Sequence, residues 1–133
     1  MINKIKKALI SVSDKSEIKS ILKILKKYDV KIISSGGTFK EIKRLGYKSE
    51  EISKYTNSDE ILNGRVKTLH PKLYAGILSK RNNKKHKKQL KKNKYDEIDL
   101  VIVNFYPFEK TLEVSKNHQD LIENIDIGGP TLV

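Results

Sequence analysis

Residues 30–38 read Val-Lys-Ile-Ile-Ser-Ser-Gly-Gly-Thr, and this stretch decides the fold class. The apolar run Val30–Ile33 predicts a β-strand, and the serine and glycine residues after it mark the end of that strand. Thr38 and Glu41 have the T-x-x-E spacing of a capping box, which predicts a helix over residues 39–45. A strand that leads directly into a helix is the first part of a βαβ unit.

The same strand-to-helix pattern precedes this stretch. Ala8–Val12 is apolar and predicts a strand. Asp14 and Glu17 are spaced as a variant capping box, and apolar residues at helical spacing follow as far as Tyr28. A further short strand is predicted at residues 49–52.

The second half of the chain contains its most apolar run, Leu100–Phe105, which predicts another strand. This run is continuous rather than alternating, which is typical of a strand buried on both faces of a parallel sheet. Residues 55–81 are predicted to be irregular, and residues 120–125 to form a short helix before Gly-Gly-Pro. The order of strands and helices predicts an α/β fold with a mostly parallel sheet flanked by helices.

Composition excludes several classes of protein. The 133 residues fit one domain, and the absence of cysteine excludes a disulfide framework, a thiolate metal site and a cysteine nucleophile. The three histidines are widely spaced, so no metal site is expected. No apolar stretch approaches 18 residues and no signal peptide is evident, so we expect a cytoplasmic protein with no membrane partner.

The net charge of +12 raises the possibility of a nucleic-acid partner. Lys80–Lys94 carries nine basic residues in fifteen and predicts either a solvated helix or loop, or a nucleic-acid surface. Only three of the 28 basic residues are arginine, the residue that most often reads bases and phosphates. The composition therefore indicates a general preference for lysine, and we expect no nucleic-acid partner.

Polar segments follow three of the predicted strands, namely Ser11–Lys15, Ser34–Thr38 and Asn104–Pro107. Ligands of open parallel α/β sheets bind in the crevice outside the carboxyl ends of the strands. We therefore expect the three segments to meet at one site. Ser35–Thr38 opens a helix and can bind an anion through free backbone N–H groups, or it is simply a well-capped connection.

Two further segments carry candidate site residues. Arg65 and Lys67 alternate in sequence, so an extended backbone places them on one side, where they suit an anionic ligand. His70 precedes a proline and is either a base or, more in keeping with its position, a structural residue. Asp126 lies between apolar residues, a setting that suits a general acid or base, or it caps the turn that follows.

Five segments together resemble one family, and they occur in order along essentially the whole chain. They are Ser11–Lys15, Ser35–Thr38, Gly64–Pro71, Asn104–Phe108 and Glu123–Thr131, of which R-V-K-T-L-H-P and I-D-I-G-G-P are the most specific. The chain is similar to the N-terminal domain of the bifunctional AICAR formyltransferase/IMP cyclohydrolase family of purine biosynthesis. The resemblance implies a methylglyoxal-synthase-like, Rossmann-like fold and ring closure of FAICAR to IMP with loss of water.

The resemblance also implies roles for individual residues. The catalytic residues would be Lys67 for charge stabilisation or proton transfer, Tyr106 for orientation and Asp126 for deprotonation of the carboxamide. The remaining residues would bind the nucleotide: Ser13, Asp14 and Lys15 contact it, Ser35, Gly36, Gly37 and Thr38 hold its phosphate, Arg65, Val66 and Thr68 line its base and ribose, Asn104 faces the reacting groups, and Ile127 and Gly128 close the site.

The same resemblance implies the partners, which are the purine nucleotides FAICAR and IMP and a second copy of the chain in a homodimer. It also implies that the cyclisation uses no metal or cofactor, and that 10-formyltetrahydrofolate would belong to the formyltransferase domain, which these 133 residues do not contain. Family members continue into an alanine-rich helix with a further catalytic lysine. The last residue here is Val133, so we expect a domain cut short at its C-terminus, with reduced cyclisation activity.

Two alternatives remain open at this stage. A relative of the same fold, either methylglyoxal synthase or a regulatory effector-binding domain, also binds phosphate at the equivalent helix start. The R-V-K-T-L-H-P segment argues against both, because the resemblance assigns it to a nucleotide base. The second alternative is the lysine-rich nucleic-acid module.

Overall fold

The computed structural model describes residues 4–115 and 117–133. Strands and helices follow in the order β1 (Lys7–Ser11), α1 (Ile18–Lys27), β2 (Lys31–Ser34), α2 (Gly36–Arg44), β3 (Glu50–Glu51), α3 (Ile52–Thr56), α4 (Pro71–Leu78), α5 (Lys84–Asn93), β4 (Leu100–Val103), α6 (Phe108–Val114), α7 (His118–Glu123) and α8 (Gly128–Thr131). The strands predicted near residues 8–12, 30–33 and 49–52 correspond to β1, β2 and β3.

Within the described residues, the strands form one parallel sheet in the order β3-β2-β1-β4. In this sheet β1 pairs on both sides, with Leu9 opposite Ile33 of β2 and Val101 of β4. Helices connect the parallel strands, as parallel crossovers require. The predicted α/β fold with a parallel sheet flanked by helices is therefore confirmed.

The core lies on both faces of β1. Ala8 and Ile10 are fully buried and pack in a cluster with Leu22 of α1 and Ile42 of α2. Leu9 points the other way and packs in a second cluster, with residues of α3 and α4. Full burial of each large aliphatic side chain contributes about 1.5–3 kcal/mol to folding. The packing of β1 therefore holds α1 and α2 on one face of the sheet and α3 and α4 on the other.

The prediction that Leu100–Phe105 forms a strand buried on both faces is wrong in two respects. β4 ends at Val103, and it lies at the edge of the sheet formed by the described residues. All four of its residues are partly exposed. A continuous apolar run identifies a strand, but its place in the sheet depends on which strands pair with it.

Both predicted capping boxes are wrong. α1 begins at Ile18 and has no side-chain cap from any residue that the structure describes, and α2 begins at Gly36, three residues before the predicted start. Thr38 therefore lies inside the first turn of α2, where its hydroxyl hydrogen-bonds the distant residue Val12. Glu41 accepts two hydrogen bonds from Arg44 instead of reaching back to the helix start.

Parts of the segment predicted to be irregular are helical. Residues 55–81 contain the end of α3 and all of α4, whose N-cap is His70. The lysine-rich segment forms α5, which buries Leu90 and is otherwise largely exposed, as a solvated helix would be. The helix predicted at residues 120–125 is α7, which begins at His118.

Candidate functional site

A cavity of about 530 Å³ opens beyond the carboxyl ends of β1, β2 and β4. It is the place where the three polar segments were expected to meet, and they do meet there. Most of the predicted site residues line it: Ser13, Lys15, Ser35, Gly37, Thr38, Arg65, Lys67, Thr68, Asn104, Tyr106, Asp126, Ile127 and Gly128. Asp14, Gly36 and Val66 lie beside the cavity but outside its lining.

The start of α2 forms one wall of the cavity. Ser35 is the N-cap in extended conformation, and within the described residues no side chain caps this helix. The N–H groups of the first turn therefore remain available to an anion, which the helix dipole also attracts. Gly36 has a φ of +47°, a left-handed conformation that glycine adopts without strain.

Two ammonium groups stand near this helix start. A Cβ on Gly36 would lie 3.5 Å from Nζ of Lys67, and one on Gly37 would lie 3.7 Å from Nζ of Lys15. The first turn of α2 contains no acidic residue. Backbone donors, a positive dipole end and two cations thus converge at one point of the cavity, and this combination suits a phosphate or another anion.

A second wall is the Val12–Asp14 segment that leaves β1. The Thr38 hydroxyl accepts a hydrogen bond from the backbone N–H of Val12 and donates one to its carbonyl, both at 3.0 Å. Oδ1 of Asn104 accepts from the N–H groups of Ser13 and Asp14 at 2.6 and 3.1 Å, and Nδ2 donates to the Asp14 carbonyl at 2.8 Å. The segment is therefore tied to α2 on one side and to the end of β4 on the other.

The Asp14 carboxylate turns back on its own loop. It accepts a hydrogen bond from the backbone N–H of Ser16 at 2.9 Å, and hydrogen bonding by Ser16 lowers the pKa of this carboxyl. The sequence had suggested that Asp14 caps α1, but its carboxylate does not do so. The exposed Asp14 side chain lies outside the cavity lining, which leaves its neighbours Ser13 and Lys15 to face the cavity.

Glu123 is a cavity residue whose part in the site the sequence did not reveal. Its carboxylate forms an ion pair with Arg65, which belongs to a loop closed by the Ile61–Val66 bridge. The guanidinium that was expected to bind an anionic ligand therefore binds a carboxylate of the chain itself. Arg44 and Arg81 also pair with carboxylates.

Asp126 lines the cavity two residues before α8 begins. Its Oδ1 accepts a hydrogen bond from the Gly129 N–H at 2.9 Å, as a turn cap does, and its Oδ2 takes no part in that bond. A Cβ on Gly129 would lie 2.7 Å from Oδ2 of Asp126, and one on Gly128 would lie 2.8 Å from the Thr68 hydroxyl. Both glycines thus allow a close approach that any side chain would prevent.

An apolar wall completes the cavity. Tyr106, Ile122, Ile125 and Ile127 line it and are 38–62% exposed. Such exposure of large apolar side chains in a concave site is typical of a surface that receives the flat, apolar part of a ligand. Ile122 and Ile125 were not predicted as site residues; α7 and the turn after it bring them to the cavity, and no local sequence signal marks them.

His70 is a structural residue. Its Nδ1 accepts a hydrogen bond from the backbone N–H of Lys72 at 3.1 Å and so caps α4, and the residue is not in the cavity lining. Among residues 4–115 and 117–133, no group of three or more histidine or acidic side chains is placed to hold a metal ion. None of the helices in this part of the chain has the length and apolarity needed to cross a membrane.

Comparison with known proteins gives three related findings. The MGS-like domain family matches residues 17–131. The bifunctional purine biosynthesis protein PurH of Prochlorococcus marinus (strain MIT 9301) is 49% identical over 127 residues, and that of Clostridioides difficile (strain 630) is 48% identical over 128 residues. These alignments cover 95% and 96% of this chain, which spans about a quarter of the length of either relative, 25% in both cases.

A solved structure shows the same architecture. The crystal structure of ForH matches with a TM-score of 0.81 and 26% sequence identity, over 96% of this chain and 64% of the ForH chain.

Proposed function

We propose a function from the premise that this chain belongs to the MGS-like domain family: it acts in purine biosynthesis as an IMP cyclohydrolase domain. Its substrate is then FAICAR and its product IMP. The observation that carries the proposal is the convergence of the α2 start, Lys15 and Lys67 at one end of a cavity of about 530 Å³ with an apolar wall. The similarity to PurH over 95% of the chain supports the same assignment.

The shape and chemistry of the cavity suit a nucleotide monophosphate. The 5′-phosphate binds at the N–H groups of Gly36, Gly37 and Thr38, where two ammonium groups offset its charge. The heterocycle lies against Tyr106 and Ile127, which offer the apolar and aromatic surface that a purine needs. The cavity volume lies within the range of 300–1,000 Å³ that is common for small-molecule sites.

The proposed reaction forms one C–N bond. The carboxamide nitrogen of FAICAR attacks the formyl carbon of the same molecule and gives a cyclic carbinolamine. The formyl oxygen then leaves as water with one proton from the carboxamide nitrogen and one from the formamide nitrogen. No oxidant, reductant or group donor enters this balance, and a site that holds the two groups together reduces the entropic cost of closing the ring.

The residues assigned to this chemistry face the cavity. Lys67 lines the cavity and stabilises the charge that develops on the formyl oxygen. The Asp126 carboxylate accepts the proton that the carboxamide nitrogen gives up, since an amide nitrogen is a poor nucleophile until it loses that proton. Tyr106, whose backbone N–H lies 3.4 Å from Oδ2 of Asp126, orients the heterocycle.

Titration with IMP, followed by amide NMR, tests the nucleotide site. We expect the largest shifts at Gly36, Gly37 and Thr38 with IMP and much smaller shifts at these residues with inosine, which lacks the phosphate. Equal shifts with the two ligands, or none, would reject the phosphate site. Dihydroxyacetone phosphate provides the second arm, because formation of methylglyoxal from it would favour a synthase of the same fold.

The reaction itself is tested by following FAICAR cyclisation through the absorbance of IMP. The chain as printed is compared with the same chain joined to the segment of the Clostridioides difficile PurH that follows the matched region. We expect nucleotide binding in both proteins and faster cyclisation in the joined one. Failure of both to form IMP would reject the cyclohydrolase assignment even if IMP binds. Sedimentation of both proteins tests the homodimer that the family resemblance implies.

A further inference from the structure

We infer that Thr38 and Asn104 are positioning residues, whose side chains fix the Val12–Asp14 segment and thereby shape the nucleotide site. The inference rests on the proposed function, because it concerns how the same cavity binds its nucleotide. It assigns to these two side chains a role through the protein backbone rather than a direct contact with the ligand.

The hydrogen-bonding capacity of Thr38 is committed to the segment. A threonine hydroxyl has one proton to donate, and here the carbonyl of Val12 receives it at 3.0 Å. The same oxygen accepts the Val12 N–H at 3.0 Å, and the residue is only 3% exposed. The hydroxyl of Thr38 therefore has no proton left for a phosphate, although its backbone N–H in the first turn of α2 does.

The side chain of Asn104 is committed in the same way. Its Oδ1 has two lone pairs, and the N–H groups of Ser13 and Asp14 take both. Its Nδ2 donates to the Asp14 carbonyl at 2.8 Å. Three hydrogen bonds from one amide to two consecutive residues fix the local backbone more tightly than a single contact would.

The segment needs such support because it has left the sheet. The pairings of β1 with its neighbours end at Ile10 and Ser11, and α1 does not begin until Ile18. Several backbone groups of Val12, Ser13 and Asp14 therefore hydrogen-bond to side chains instead of to a neighbouring strand.

The position of a site cation depends on the same segment. Nζ of Lys15 donates to the carbonyl of Ser13 at 2.7 Å, and this ammonium lies beside Gly37 at the α2 start. A shift of the Ser13 backbone therefore moves the cation away from the place proposed for the phosphate. Thr38 lies 26 residues from its partner in the segment, and Asn104 lies 90 or 91 residues from its partners. Both side chains thus act on the ligand through Ser13 and Lys15.

The test combines amide hydrogen exchange of the ligand-free protein with IMP affinity. The variants are Thr38→Val, Thr38→Ser, Asn104→Leu and, as the matched control, Thr56→Val. Thr56 is also a buried threonine, whose hydroxyl donates to the carbonyl of Ile52 at 2.8 Å, but it lies outside the cavity lining. A thermal denaturation curve for each variant shows that it is folded.

We expect Thr38→Val to raise exchange at Val12, and Asn104→Leu to raise exchange at Ser13 and Asp14, each on the order of tenfold, because each of these amides loses its one side-chain hydrogen bond. Both variants should weaken IMP binding by about tenfold. Thr38→Ser should behave as the parent chain, since it keeps the hydroxyl. The control Thr56→Val should lower thermal stability without changing either readout.

Weaker IMP binding with unchanged exchange at residues 12–14 would overturn the inference, because it would indicate a direct contact with the ligand. Unchanged exchange and unchanged binding would overturn it as well. If Thr38→Val does not fold, the exposed Asn104 carries the same test through Asn104→Leu. Because exchange is measured without ligand, a parent chain that fails to bind IMP rejects the proposed function, while the exchange data still decide whether the two side chains fix the segment.

Discussion

Replacement of Gly37 by alanine separates the stability of α2 from its ability to bind an anion. Gly37 lies in the first turn of α2 with no positive φ, so alanine is compatible with its backbone. The added Cβ would lie 3.6 Å from Cε and 3.7 Å from Nζ of Lys15, which is ordinary van der Waals contact. The methyl group therefore fits the ligand-free protein, but it occupies space between the helix start and the ammonium, where a phosphate oxygen would lie.

Opposite effects on stability and binding follow from this geometry. Alanine in a helix is favoured over glycine by about 0.5–1 kcal/mol, which raises the melting temperature by about 2–4 °C for a domain of this size. Displacing one charge-assisted hydrogen bond to the phosphate costs about 1.5–3 kcal/mol of binding free energy. The dissociation constant for IMP should therefore rise by about 10- to 100-fold.

Gly46 provides the matched control for Gly37→Ala. It has a φ of +78° and, among the residues that the structure describes, no atom within 4 Å of an added Cβ, so Gly46→Ala strains the backbone by about 1–2 kcal/mol without touching the cavity. We expect a lower melting temperature and unchanged IMP affinity. Isothermal titration calorimetry and thermal denaturation of both variants measure the two effects. IMP binding by Gly37→Ala that equals the parent chain would refute the anion site at α2.

Three further predictions follow from other parts of the molecule. Lys67→Ala should slow FAICAR cyclisation in the joined chain by about 10²–10³-fold, whereas Lys88→Ala, an exposed residue of α5, should leave the rate unchanged; similar rates would refute the role of Lys67. Burial raises the pKa of Tyr55 to about 12 from its usual 10.0, so stability should fall as pH rises from about 10 towards 12, and Tyr55→Phe should flatten that fall in urea unfolding. Hydrogen bonding to Arg44 lowers the pKa of Glu41 below its usual 4.5, so stability should decrease as pH falls below that value, and by less in Glu41→Gln.

The sequence predicted the strands near residues 8–12, 30–33 and 49–52 and the parallel architecture because these depend on local pattern. Short apolar runs followed by glycine or polar residues define strand ends without knowledge of their partners. The two glycines after β2 also indicated a place where the backbone allows close approach, and the structure shows Gly36 in a conformation, φ +47°, that favours glycine. Its position after β2 was enough to place a candidate anion site at the carboxyl edge of the sheet.

Only the tertiary structure decided which side chains bond to one another. Thr38 and Glu41 satisfy the capping-box pattern, yet Thr38 bonds Val12 and Glu41 bonds Arg44, because α2 begins three residues earlier than the pattern implied. Arg65 forms an ion pair with the carboxylate of Glu123, which is 58 residues away in the sequence. A hydrogen bond or ion pair depends on distances in space, and residues far apart in sequence carry no local signal of them.

The place of β4 has the same explanation. Its run of four apolar residues indicates a buried strand, but the run does not show how many strands pair with it. The sequence thus predicted the strands, their parallel order and the edge of the sheet at which the candidate site lies. The tertiary structure determined sheet position, the partners of Thr38, Asn104 and Arg65, and the apolar wall, because these arise only when distant segments pack together.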